Sequence, residues 1–147
     1  MKKILFCLAV CAMALGFASC EPISNTNNPL IGQWAIEGND TRTIEFDEEN
    51  ATVVYYEPSG EVFGTSQYEY IIQRKKLYFA LYTEDLQLYV HECDYRIDGD
   101  NSVIVSKLNP ILYYGTALNQ GYDPYADVVL IKKRWYRSKQ RLHNSIY

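Results

Sequence analysis

The chain is poor in the residues that build metal and redox centres: its 147 residues include two His, two Met and two Trp. With so few imidazoles, a His-built metal site is disfavoured from the outset. Cysteine is scarce where it would matter. Cys7, Cys11 and Cys20 fall in the first twenty residues and only Cys93 lies in the body, so a mature domain could form no internal disulfide. The longest apolar run, Ile4 to Phe17, is fourteen residues, which at about 1.5 Å per residue in a helix falls short of a ~30 Å hydrocarbon core. Internal repeats, low-complexity segments and nucleophile-elbow or triad motifs are all missing. What is plentiful is Tyr, with 14 residues in a chain that is 48% hydrophobic and 22% charged. That balance excludes extended disorder and suits one globular domain, and the tyrosines favour strands.

Met1-Lys2-Lys3 followed by the apolar run and the small pair Ala18-Ser19 reads as a secretion signal over residues 1–19, to be removed. The ending Phe17-Ala18-Ser19-Cys20 resembles the lipobox of bacterial lipoproteins. That resemblance implies that Cys20 is thioether-linked to diacylglycerol and becomes the first residue of the mature protein. One acyl chain holds a membrane only marginally, so the several chains such lipoproteins carry imply stable anchoring. Residues 20–29 then form a lipidated, polar tether with Pro22 and Pro29, and its nine residues after Cys20 reach at most about 30 Å. Residue 21 is Glu rather than the Asp that resembles an inner-membrane retention signal, so an outer-membrane address is expected, on either the periplasmic or the surface face.

From Leu30 onward, apolar residues recur with period two between polar turns, which predicts an all-β domain over residues 30–136. Gly32, Trp34 and Ile36 share one face of a first strand; Ile44 and Phe46 alternate with Thr43 and Glu45 in a second. Ala51 to Glu57 forms a third, Tyr68, Tyr70 and Ile72 face one way in a fourth, and Arg74-Lys75 is a tight hairpin candidate. Leu77, Phe79 and Leu81 give the next inward face. Beyond the Thr83-Glu84-Asp85 turn the apolar set is first even-numbered (Leu86, Leu88, Val90) and then odd-numbered (Cys93, Tyr95, Ile97). That change of parity predicts a β-bulge or strand break near His91 or Glu92. Asp98 to Asn101 turns into Val103 to Val105, and a final strand is expected from Asp127 to Trp135. About eight antiparallel strands with short connections are best closed as an up-and-down barrel, which removes both unpaired edges; a two-sheet sandwich is the alternative.

One connection is too long for the pattern. Asn109 to Tyr125 runs 17 residues, against roughly 12–15 for a structureless loop, and carries four tyrosines. It reads either as a lid or binding edge, or as Ile111, Leu112, Tyr113 and Tyr114 folding back as an extra strand or plug.

Gly32-Gln33-Trp34 at the first strand, with a basic end to the last, resembles the G-x-W signature of lipocalins and lipocalin-like barrels. Together with the lipobox, the chain is similar to the lipocalin-like domain lipoproteins of Gram-negative bacteria. The resemblance implies that Trp34 closes one end of the barrel under a cation, Arg134 or Arg137, an attraction of about 0.5–2 kcal/mol. No second lipocalin motif is found.

Chemistry is otherwise sparse. In His91-Glu92-Cys93-Asp94 alternate side chains point to opposite faces, so only His91 with Cys93, or Glu92 with Asp94, can converge, and two ligands do not make a zinc site. The carboxylate pairs Glu48-Glu49 and Glu84-Asp85 fall in turns, where solvation explains them. Catalytic residues, metals and cofactors are therefore not expected, and a small hydrolase is the minor alternative. With Lys2 and Lys3 removed, 12 basic residues face 18 acidic ones, and six of the twelve lie in residues 132–147, which contain no acid. The basic tail, residues 137–147, is expected to be solvated or to meet acidic head groups or an acidic partner; nucleic acid is not an expected partner.

The expected function is a non-enzymatic, membrane-anchored barrel binding a small apolar, aromatic-stacking or glycan ligand. Tyr113, Tyr114, Tyr122 and Tyr125 are the external candidates, and Tyr68, Tyr70 and Phe79 line the interior or simply pack in the core. The alternative is an envelope scaffold with a filled barrel that binds another protein.

Overall fold

The structure, a computed structural model, describes residues 5–10, 28–114 and 122–133. Cys20, most of the tether, Arg134, Arg137 and the 137–147 tail lie outside the described residues. Eight strands occur in chain order: β1 (Gly32–Ile36), β2 (Asn39–Phe46), β3 (Asn50–Tyr56), β4 (Val62–Gln73), β5 (Lys76–Tyr82), β6 (Leu88–Ile97), β7 (Ser102–Ser106) and β8 (Asp127–Lys132). Each pairs antiparallel with the next, and β1 pairs with β8 through Trp34↔Lys132, Ala35↔Ile131 and Ile36↔Leu130. The result is a closed up-and-down barrel without free edges, so every strand's polar backbone has a neighbour on both sides.

Register puts the apolar alternation inside. Trp34 faces Ile44, which faces Val53; Tyr70 faces Phe79; Leu77 faces Cys93; Val103 faces Leu130. These side chains, with Phe46, Ala51, Tyr68, Val105 and Val128, form one buried cluster that fills the barrel. The Arg74-Lys75 hairpin turns with both residues at positive φ (52° and 63°), the two-residue geometry whose twist matches the flanking strands.

The bulge expected near His91 does not occur: β5 and β6 pair in unbroken register from Lys76↔Asp94 to Tyr82↔Leu88. Register shifts fall instead at Ala35/Ile36 and Tyr55/Tyr56. The parity change has a different cause. Leu88 and Val90 point out of the barrel, and with Ile71, Tyr78, Ala80 and Tyr82 they form a second apolar cluster against Phe6 and Val10 of the helical segment 5–10. Strand β8 ends at Lys132, short of the expected Trp135, which lies beyond the described residues.

Both ends of the barrel are corked. At the end where the tether enters, Leu30 and Trp34 are buried, and the indole Nε1 donates to the Leu30 carbonyl at 2.7 Å. At the opposite end, a one-turn helix, Asn109–Leu112, carries Pro110 in its first turn, where a missing N–H costs nothing. It drops Leu108, Ile111 and Leu112 into the core, all fully buried. Ile111 and Leu112 of this segment form a plug while Tyr113 and Tyr114 sit at its rim; residues 115–121 lie outside the described residues.

Candidate functional site

The outer rim of the plug is the only place where several of the singled-out tyrosines meet among the described residues. Strand β2 carries Arg42 inward, two residues before Ile44 on the same face, and register sets it opposite Tyr55. Arg42 as a whole is 8% exposed, with no carboxylate against it among the described residues. Burying a cation is costly unless polar groups replace its water. Here Nε donates to the Leu112 carbonyl at 2.9 Å and Nη1 to Thr41 Oγ1 at 3.0 Å. The Tyr113 ring lies over the guanidinium at 4.1 Å and the Tyr55 ring at 5.2 Å. Leu112 ends the plug helix, where carbonyls lack intrahelical donors, so Arg42 both satisfies that end and fixes the plug.

Tyr113 is roofed in turn by Tyr122, stacked at 4.9 Å and 9° between planes, and its hydroxyl accepts from Asn39 Nδ2 at 2.8 Å. Tyr114 meets Tyr68 edge-on at 6.1 Å, joining the rim to the core. Tyr125 stands apart at 76% exposed. Burial raises the Tyr68 phenol above the ordinary tyrosine range, so it stays neutral through the physiological range.

Tyr70 and Phe79 do not line a cavity; they pack in the core, with Tyr70 edge-on to Phe46 at 5.2 Å. The Tyr70 hydroxyl donates to the Asp47 carbonyl and accepts from Asn28 Nδ2 at 2.6 Å, which ties the tether's described end to β4. A recess of about 250 Å³ lies at the Trp34 end, lined by Ile31, Gly32, Gln33, Trp34, Lys132 and Lys133. It is smaller than the roughly 300–1,000 Å³ of typical ligand pockets and sits at the opposite end from the tyrosines. The described cation over Trp34 is Lys132, with Nζ 6.0 Å from the ring centroid.

His91 and Cys93 do share a face, but they converge on a backbone oxygen. Both reach the Lys107 carbonyl, His91 Nε2 at 2.7 Å and Cys93 Sγ at 3.3 Å. A carbonyl only accepts, so the bond requires His91 to carry its proton on Nε2. Burial, with the Asp94 charge adding to it, pushes the Cys93 thiol up to about 12, which removes its thiolate at neutral pH. No cluster of three or more His, Cys, Asp or Glu placed to hold a metal occurs among the described residues.

Arg42, Tyr55 and Lys132 escaped the sequence reading, yet the parity signal for Arg42 was present: it precedes Ile44 and Phe46 at the same two-residue interval. Arg42→Met removes the donor to Leu112 and the charge under Tyr113. It is expected to lower stability by about 1–2 kcal/mol and to speed amide exchange in residues 108–114 ahead of the strands. Exchange that quickens equally throughout the barrel would contradict the latch role. Searches against family models, curated proteins and solved structures give no match to this chain.

Proposed function

We propose that the protein is a lipid-anchored, non-enzymatic interaction module of the outer membrane. In this reading Cys20 carries the lipid, residues 1–19 are removed, and a filled barrel presents its corked, tyrosine-rich rim to another envelope protein. The observation that carries it is the interior: Trp34, Tyr70, Phe46 and Phe79 from the walls and Ile111 and Leu112 from the plug occupy the space in which a lipocalin-like carrier would hold its cargo. Solvent-facing Tyr114 and Tyr125 supply aromatic contact area with a polar tip, the side-chain type enriched at protein interfaces. His91 Nε2 and Cys93 Sγ both bond the Lys107 carbonyl, and burial keeps the Cys93 thiol protonated at neutral pH.

A second reading is favoured by Arg42: a small aromatic-stacking or glycan ligand held at the rim, with Tyr113 and Tyr122 as the platform and the guanidinium beneath them. One preparation separates the two. The processed protein is purified from envelope membranes with a photo-reactive phenylalanine at position 114 or 125, or at Gln67 on the outer wall. Cross-links to another protein from 114 and 125 but not 67, with a native mass free of small molecules, are expected. A stoichiometric small molecule retained in the native mass would move the conclusion to the second reading. The mass of the N-terminal peptide shows whether Cys20 bears diacylglycerol.

A further inference from the structure

The outer wall of β4, β5 and β6 is built like a core. Ile71, Tyr78 and Ala80 are at most 3% exposed although they point away from the barrel interior. Their cover is the helical segment 5–10, whose Phe6 and Val10, one turn apart, are fully buried against them, with Tyr82, Leu88 and Val90 at the margin. The cover belongs to the segment that the sequence marks for removal. The cleavage that would create the lipidated N-terminus is therefore the same one that bares this wall.

Three features indicate what covers it next. The tether roots at the end of the barrel where the β4–β5 hairpin turns, because Asn28 bonds the hydroxyl of the inward-facing Tyr70, close to the Asp47 carbonyl. Seven residues lie between Cys20 and Asn28, eight steps of chain that span at most about 29 Å, so an anchored domain stays within that distance of the bilayer. At the tether end the wall is bordered by exposed Arg74 and Lys75 in the β4–β5 hairpin. Lys76 is paired with Glu92 and Asp94; Glu69 faces out from β4 near Tyr82, Asp98 and Asp100 follow β6 at the tether end, and Glu84 and Asp85 lie at the far end, in the β5–β6 turn. The apolar, tyrosine-edged strip of Ile71, Tyr78, Ala80, Tyr82, Leu88 and Val90, held near lipid by a short tether and ending at exposed Arg74 and Lys75, matches a bilayer interface, where hydrocarbon meets anionic head groups.

We propose that the β4–β6 outer wall is a membrane-contact face, masked by residues 5–10 in the precursor and laid on the lipid surface once they are removed. The proposal rests on the anchored-lipoprotein reading. It orients the molecule: the barrel lies on this wall and the tyrosine rim stays clear of the membrane, free for a partner.

The test uses processed protein carrying Val90→Trp on the wall or Glu45→Trp on the far side, reconstituted in vesicles of brominated phosphatidylcholine with phosphatidylglycerol. Emission in excess of the parent protein is expected to be quenched at position 90 and unchanged at position 45. Adding Arg74→Glu and Lys75→Glu, both in an exposed turn, is expected to reduce the quenching at 90. Equal quenching at both positions, or none at 90, overturns the proposal. So does a two-copy mass in which position 90 is shielded without lipid quenching, since a second copy of the chain would then cover the wall. The mass of the N-terminal peptide is read on the same sample. Lipid on Cys20 without quenching at 90 removes the contact face and leaves the anchor, whereas quenching at 90 without lipid on Cys20 removes the anchor and leaves the face.

Discussion

Raising the pH is expected to unfold the domain cooperatively between about 9 and 12, well before general alkaline damage. Burial pushes the Cys93 thiol from 9.0 up to about 12 and the Tyr70 phenol from 10.0 up to about 12, the latter against the opposing hydrogen bond from Asn28. Each group keeps its proton longer folded than unfolded, so in that window the unfolded chain binds fewer protons and stability falls as pH rises. Below about pH 9 the contribution of both groups is fully present; above about 12 it is gone. At about 1.4 kcal/mol per unit, Cys93 and Tyr70 together account for a loss on the order of 5 kcal/mol or more, comparable to the whole stability of a small domain. Circular dichroism followed against pH, with urea midpoints at each step, checks this. Cys93→Ala is expected to flatten the limb that begins near pH 9 and to leave the one that begins near pH 10. A midpoint independent of pH up to 12 would mean that neither group is buried as described.

Trp34→Ala is expected to cost about 3–5 kcal/mol, the range for truncating a fully buried large aromatic, and to lower the urea midpoint without changing the slope. The indole is 2% exposed and does two things at once: it fills the tether end of the barrel and holds the Leu30 carbonyl through Nε1. Lys132→Met, which removes only the cation over the ring at 6.0 Å, is expected to cost less than about 1 kcal/mol. The contrast tests which part of the arrangement matters. If the two variants prove equal, or Trp34→Ala costs less than about 1 kcal/mol, the indole is not the stopper.

The barrel was legible because period two is a local property: Trp34 and Ile36, Ile44 and Phe46, Tyr68 and Tyr70, and Leu77 and Phe79 each mark an inward face without knowledge of any neighbour. Closure followed from the cost of edges rather than from any residue. What alternation does not encode is whether the outward face is also covered. Leu88 and Val90 were misread for that reason, as an inward set that a bulge must then displace, when they face a helix contributed by residues 5–10. The plug was half legible: Ile111 and Leu112 are apolar in an otherwise polar connection, but whether four residues make a strand or a helical turn depends on the space left at the barrel mouth. Arg42 was hidden by its charge. A cation inside a barrel is anticipated only once Tyr55, Tyr113 and the Leu112 carbonyl are known to converge on it.

The distribution of acid and base follows the same geometry. Lys132, Lys133, Arg74 and Lys75 gather at the tether end, and the turns at the rim end carry Glu37, Glu57, Glu61, Glu84 and Asp85. The tether end also carries acids, in the Asp47–Glu49 and Asp98–Asp100 turns, so the basic character is local to the β4–β5 hairpin and the end of β8 rather than a property of the whole barrel. The apolar strip covered by Phe6 and Val10, rather than charge, is why the wall and not the end of the barrel is the surface assigned to the membrane.

All of this depends on the seam between β1 and β8, since only their pairing turns a sheet into a corked cylinder with an inside to fill. Nuclear Overhauser contacts across that seam test it most directly. Cross-strand backbone contacts between Ala35 and Ile131 and between Trp34 and Lys132, with slow amide exchange in both strands, are predicted from the register. Fast exchange along β1 and β8 with no contact between them would leave two open edges and contradict the barrel.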